Sequence, residues 1–599
     1  MITNSILQGR LPMPTINKLN QLDPQAYTQI ELMWQAMWTT YLHNKGTINV
    51  PYWAKRVANP KVHNIALKVL AQAGWITILT QPHRNWSEAK LNEAKLLQYV
   101  TKSQLDSVRK YYKFNKYLLT NTKSEVSDKV RVNGKIKRTG LNRPGFTKAG
   151  NTQFQFDIQY LSVYKEPITK LVNKGIQKMA IRYPQLLDDG ANYQEVGAEI
   201  VNYYASHNGT YTSGERASDS RGRDIAGYLN KIGNPVGFKI MRALLTIPFH
   251  KRKFATKEGL TNKYLFIAEL NGFKNGTTDD KAEFGKQCYK NRTLPHYNLT
   301  TELDELPDAI WCMRTYDDID AYHSTSNHRW TTPIEIDMSA SVIGFYALLL
   351  GDRRGMARTN MIGNILGDAW HNDTITNRTQ CKTIMRRLYG SNMQPDEMWS
   401  KMSIPYTQAE VEAFNHETTK GEFAVYNAFK DFIIDNVKPK HTMQVNINNE
   451  VFVIECNKFR NAGESTIVFD LYDSATNSVK RIHHTDTIKI PNLKAFRRFF
   501  ATLLIHNLDS QCMDKSIVNL DWVLPIHDAM IVCAEEATQG RVNYAKELEA
   551  IYSNRNKIIS NYFTSIGISN KTLPQFKQQV QSLVQPLAGE FKCNLMVLK

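Results

Sequence analysis

The chain has no long apolar run. The longest, Val342 to Leu350, falls far short of the ~18 residues that span a bilayer, so no membrane partner is expected. Its seven cysteines contain no C-x-x-C pair. That argues against a zinc ribbon or a disulfide framework and for reduced thiols in a cytosol-like compartment. The N-terminus MITNSILQGRLPMP has neither a basic segment leading into an apolar core nor an Arg/Ser-rich pattern, so neither export nor organellar import is expected. Internal repeats and low-complexity tracts are missing too. Acidic residues are in short supply: 56 Asp and Glu face 75 Lys and Arg, a formal charge of +19. A surplus of that size attracts polyanions, nucleic acid above all. With 42% hydrophobic and 22% charged residues the composition is globular, and 599 residues suggest about four structural units.

Residues 1 to about 120 read as helical, with apolar side chains at helical spacing in Gln29–Tyr41 and again in Ser87–Tyr99. Arg109–Tyr117 interleaves four basic residues with four aromatics, which suits phosphate contact plus base stacking and equally suits an amphipathic helix face. Asn133-Gly134, flanked by Val130, Val132 and Ile136, predicts a tight β-hairpin. Seven basic and no acidic residues lie between Lys129 and Lys148, so this hairpin either meets phosphate or projects into water. Residues 155–206 return to helix, 207–223 form a loop, and 341–440 are mainly helical. Residues 443–490 read as β-hairpins separated at Asn-Ala-Gly and Asn-Ser, with Lys458, Arg460 and Asn461 at a tip. Helix resumes at Leu493 and is interrupted by a strand–turn–strand around His527-Asp528.

The chemistry concentrates in a few segments. In PIEIDMSASVIGFYALLLGD, Pro333–Ile336 is a buried strand ending at Asp337, a good ligand for a hard cation and, taken alone, equally a helix N-cap. In WVLPIHDAMIVCAEEA, two apolar β-prone runs place Asp528 at a hairpin tip, where it reads either as a metal ligand or as a turn residue. In NRTQCKTIMRRLYGSN, Arg378 and Lys382 share a helix face that could grip a triphosphate or simply meet solvent, and Gly390 ends the helix after Tyr389. In DSRGRDIAGYLNKIGNPVGFKIMRALLT, arginines beside glycine allow close approach to phosphate.

Taken in this order, the segments resemble the single-subunit RNA polymerases of bacteriophages and mitochondria. The similar elements are D-x-x-G-R at Asp219–Arg223, N-P-x-G at Asn234–Gly237, D-x-S-x-S at Asp337–Ser341, and Arg378, Lys382, Met385, Tyr389 and Gly390 of the fingers helix. His506 and Asp509, His527-Asp528, and Asp280-Lys281 complete the likeness, which covers about residues 210–599. It implies an α+β, predominantly helical right-hand polymerase fold. The expected parts are an N-terminal helical domain with the basic hairpin (1–150), thumb-like helices (151–210), a palm from 211–340 and 505–599, and fingers from 341–504.

The resemblance implies a phage-encoded DNA-directed RNA polymerase with a DNA template, an RNA product and ribonucleoside triphosphates, acting in the cytoplasm of a bacterial host. Asp337 and Asp528, with the Met338 carbonyl, would hold two Mg2+ ions. Lys382, Arg378 and Lys281 would bind the nucleotide. Tyr389 and His506 would select the sugar. Arg221, Arg223 and Arg242 would contact template or hybrid phosphates, with Lys458 and Arg460 on promoter DNA.

Departures from the family pattern shape the expectation. Lys382 and Tyr389 stand one residue closer than in the family. Val342 occupies a position where RNA-making relatives tend to have glycine and related DNA polymerases a sugar-excluding glutamate. The region ahead of the catalytic core is short, which implies an accessory initiation protein or a single-stranded template. The rival readings are a related DNA polymerase and a catalytically silent nucleic-acid-binding protein of the same fold.

Overall fold

The computed structural model describes residues 237–584 apart from 274, 296–302, 364–365, 457, 474–477 and 527. Before these it describes chiefly 70–80, 87–105, 143–182, 193–206 and 209–213, and after them 591–594 and 598. The fold is predominantly helical with several small sheets. Among the described residues no helix is long and apolar enough to cross a membrane. Contacts divide the chain into two compact units, Met1–Leu118 and Leu119–Lys599. The basic hairpin falls in the second of these units.

In the first unit the strands β1 (Ile48–Asn49), β2 (Ile76–Thr80) and β3 (Ser87–Leu91) form an antiparallel sheet with β3 central. This corrects the helical reading of Ser87–Tyr99, of which only Glu93–Leu96 is a helical turn. The physical reason is a change of period. Ala89 and Leu91 are buried while Lys90 between them is exposed, and the β-branched run ITILT of β2 supplies the pairing partner. Trp34, Met37 and Trp38 are helical and buried as expected, with Trp34 edge-on to Trp75 at 5.7 Å. Arg109–Tyr117 lies outside the described residues.

In the second unit β4 (Lys129–Val132) and β5 (Lys135–Arg138) pair with Val132 opposite Lys135, the two-residue connection that Asn133-Gly134 predicts. The small sheet extends through β8 (Ala217–Ser218) to β9 (Asp224–Ile225). The D-x-R-G-R element thus falls between strands that join the basic hairpin, although Arg221 and Arg223 themselves lie outside the described residues. A further sheet carries β6 (Gln153–Phe156) between β7 (Tyr211–Thr212) and β10 (Leu245–Thr246). Helices Lys165–Arg182 and Tyr193–Ser206 pack on each other.

The central sheet has β11 (Ile334–Asp337) and β16 (Val523–Ile526) flanking β17 (Ala529–Val532), all antiparallel. Its strands are short and almost wholly buried, because helices cover them. Helix α1 (Lys257–Leu270) packs along β11, and α2 (Leu306–Ser324) packs on α1. The apolar stretch after Asp337 becomes α3 (Ser341–Leu350), buried along its whole length and packed against α4 (Leu493–Ile517) and α5 (Ala537–Ser565). A helix apolar on every side has to sit in the middle of a core.

The β-rich region is two hairpins. Strands β12 (Thr442–Ile447) and β13 (Glu450–Glu455) turn at Asn448 and Asn449, both with positive φ, which asparagine tolerates best after glycine. Strands β14 (Phe459–Asp473) and β15 (Ser478–Pro491) form a long ribbon. The Asn-Ala-Gly read as a turn is instead a register shift between Asn461 and Gly463 within that ribbon. Lys458 and Arg460 are consequently at its root, not at a tip. Arg460 pairs with Ile490, and the Lys458 carbonyl accepts from the Asn492 N–H at 2.8 Å.

Candidate active site

Asp337 closes β11 directly opposite Ala529, the first residue of β17. Asp528 is therefore the next residue along, and the Met338 N–H donates to its carbonyl at 3.1 Å. Two aspartates far apart in sequence thus meet at one end of one sheet. Asp337 itself is exposed to solvent at the end of its strand. Its pKa is raised well above the ordinary value, first by desolvation and then by the charge of Asp528, with smaller contributions from Glu335 and Glu269. The alternative N-cap role is excluded, since the residue capping α3 is Ala340, which makes no side-chain cap bond. Ala340 adopts φ 51°, a left-handed conformation that costs an alanine about 1–2 kcal/mol. The strain lies in the turn that carries Met338 and Ser339.

That turn is pinned from behind. The buried Asn360 donates to Ser339 Oγ at 2.9 Å and exchanges hydrogen bonds with the Gly367 backbone. Tyr544 Oη, on α5, reaches Met338 Sδ at 2.9 Å and Asp509 at 3.3 Å. At the opposite end of β11, Lys263 and Asp318 form a buried ion pair of 2.6 Å. Lys263 also donates to the Thr332 carbonyl, and Asp318 accepts from Thr332 N–H and meets His328. Burial alone would raise the Asp318 carboxyl, but Lys263, His328 and the Thr332 N–H together hold it far below the usual range.

Arg378 and Lys382 lie on α6 (Arg378–Lys382), capped by the Asn377 side chain, and α7 (Ile384–Leu388) follows after a tight turn at Thr383. Both cations are exposed, and Arg378 is drawn to Asp368 at 2.9 Å. Gly390 has φ 90°, the left-handed C′ position expected of it. The Tyr346 hydroxyl of α3 donates to the Leu388 carbonyl at 3.1 Å, and Thr502 Oγ1 of α4 donates to the Tyr389 carbonyl at 2.9 Å. Thr502 and His506 are one helical turn apart. The bond from Thr502 therefore seats Tyr389 over His506, with ring centroids 4.5 Å apart.

The remaining predicted residues are less concentrated. Lys281 is buried and paired with Glu269 at 2.9 Å. Arg242 pairs with Glu335 of β11 at 3.1 Å. His527 lies outside the described residues. Val342 is wholly buried within α3. Among the described residues no group of three or more His, Cys, Asp or Glu side chains gathers as a metal site. Two aspartates whose charges oppose each other nevertheless suit a hard divalent cation, which takes carboxylate and carbonyl oxygen and fills its remaining positions with water or phosphate. A separate cavity, lined by Asp352, Arg358, Glu422 and Tyr426 among others, holds none of the predicted residues.

Sequence reading missed Asn360, Thr502, Tyr544 and Glu269. Only the pairing of distant elements gives them a role, and no local motif marks them. No protein-family model matches the chain, and no curated protein matches it.

Proposed function

We propose that the chain is a DNA-directed RNA polymerase of the single-subunit kind, adding ribonucleotides to an RNA 3′ end on a DNA template in a bacterial host. The observation that carries the reading is the junction of Asp337 and Asp528 at one sheet end, with Met338 N–H bonded to the Asp528 carbonyl. In this reading the central sheet is the palm, residues 341–504 form the fingers, and residues 151–210 the thumb.

Asp337 and Asp528, with the Met338 carbonyl, would hold magnesium. When bound, the metal supplies activation of a 3′-hydroxyl and charge stabilisation for departing pyrophosphate. Lys382 and Arg378 neutralise the triphosphate, for which Arg378 exchanges its Asp368 partner. Tyr389, fixed through its carbonyl and packed against His506, would select the sugar through its hydroxyl. Catalysis is then mostly positioning of the reacting ends.

The test is extension of a labelled RNA primer annealed to DNA. Extension that needs both magnesium and ribonucleotides supports the reading. Use of deoxynucleotides alone moves the chain to the DNA polymerase branch. Tight binding of the hybrid without extension leaves a binding protein.

A further inference from the structure

The segment PFHKRKF, Pro248–Phe254, sets two phenylalanines around a run of basic residues. Phe249 opens a 3-10 turn, Phe249–Lys251, and is 69% exposed, while Phe254 is 54% exposed. Rings of this size are ordinarily buried, and an exposed aromatic pair rimmed by charge marks a contact surface. Both rings are held in place. The Arg329 guanidinium lies 3.9 Å from the Phe254 centroid and 5.6 Å from that of Phe249, and Arg329 also bridges to Phe254 through the backbone. The rings are thus braced from one side and open on the other.

The charge around them is positive. Lys251 is exposed beside the rings. The nearby acids are committed elsewhere: Asp521 pairs with Lys253, Glu535 accepts from Trp330 Nε1 and Thr256, and Glu536 accepts from the Asp521 and Trp522 N–H groups. Fixed aromatic faces beside cations match a ligand that carries flat apolar groups on an anionic backbone. A duplex hides its bases, and an acidic peptide supplies charge without a stack.

We propose that Phe249, Lys251, Phe254 and Arg329 form a docking site for single-stranded DNA by stacking and charge. The Ile247 N–H donates to the Thr331 carbonyl just ahead of β11, so the site lies at the end of that strand opposite to Asp337. The inference does not rest on the catalytic reading.

The test uses the full chain and a thymidine oligomer of roughly 20 nucleotides bearing 5-iododeoxyuridine, a length that spans such a site. Photocrosslinks are expected within the peptide carrying Phe249–Phe254. The double variant Phe249→Ala/Phe254→Ala should bind the oligomer roughly 10-fold or more weakly. Lys251→Glu should flatten the salt dependence of binding while leaving the circular dichroism spectrum unchanged. Crosslinks confined to other peptides, unchanged affinity in the double variant, or tighter binding of duplex or of the matching RNA would each overturn the proposal.

Discussion

The rings of Tyr389 and His506 meet at 4.5 Å, tilted by 53°, because Thr502, one turn before His506, holds the Tyr389 carbonyl. The ring contact needs only the ring, whereas sugar selection needs the hydroxyl. Tyr389→Phe should therefore keep the fold and most of the ribonucleotide rate, yet admit deoxynucleotides roughly 3- to 10-fold more readily, the value of about one hydrogen bond. Competition between the two nucleotide types at a single template position measures this. Unchanged selectivity would put the gate on another residue.

The Asp337–Asp528 pair makes the metal-free protein pH-sensitive in a definite direction. Asp337 has a raised pKa in the fold, so the native state holds its proton more tightly than the unfolded chain does. Stability contributed by this residue then falls as pH rises above the unfolded aspartate value of about 3.9. In EDTA, Asp337→Asn should melt above the wild type at neutral pH, with the gap closing toward acid. Added magnesium should raise the wild-type Tm and leave the variant almost unmoved. Thermal unfolding at several pH values checks both statements.

Lys263 and Asp318 are buried together and fix the entry to β11 through Thr332. Removing one partner strands a charge in the interior. Asp318→Ala should cost about 3–5 kcal/mol in a denaturant titration. A variant replacing both partners with apolar residues should recover much of that loss, because no isolated charge remains.

Much of the site's skeleton was legible in the sequence, where local chemistry dictates local structure. The apolar run after Asp337 could only be a core helix, and the two apolar runs around His527-Asp528 could only be paired strands. Gly390 fell in its left-handed position for a reason visible in one line. What was hidden depends on pairing at a distance. Ser87–Leu91 needed its β2 partner to show a period of two. The Asn-Ala-Gly at 461–463 has turn chemistry, and a long partner strand turned it into a bulge. The Asn448-Asn449 turn carries its mark in its two asparagines, both at positive φ. Asn360 and Tyr544 carry no motif, and their support of the Asp337 loop exists only once α5 and the turn are folded together.

The most direct measurement is the single-turnover rate of ribonucleotide addition on a preformed RNA–DNA scaffold, comparing wild type with Asp528→Asn at saturating magnesium. Two aspartates sharing one sheet end as metal ligands predict a loss of roughly 1,000-fold or more, the several kcal/mol that bound metal contributes, with scaffold affinity nearly unchanged. A variant that extends at close to the wild-type rate, or one that loses the scaffold along with its activity, would contradict the account.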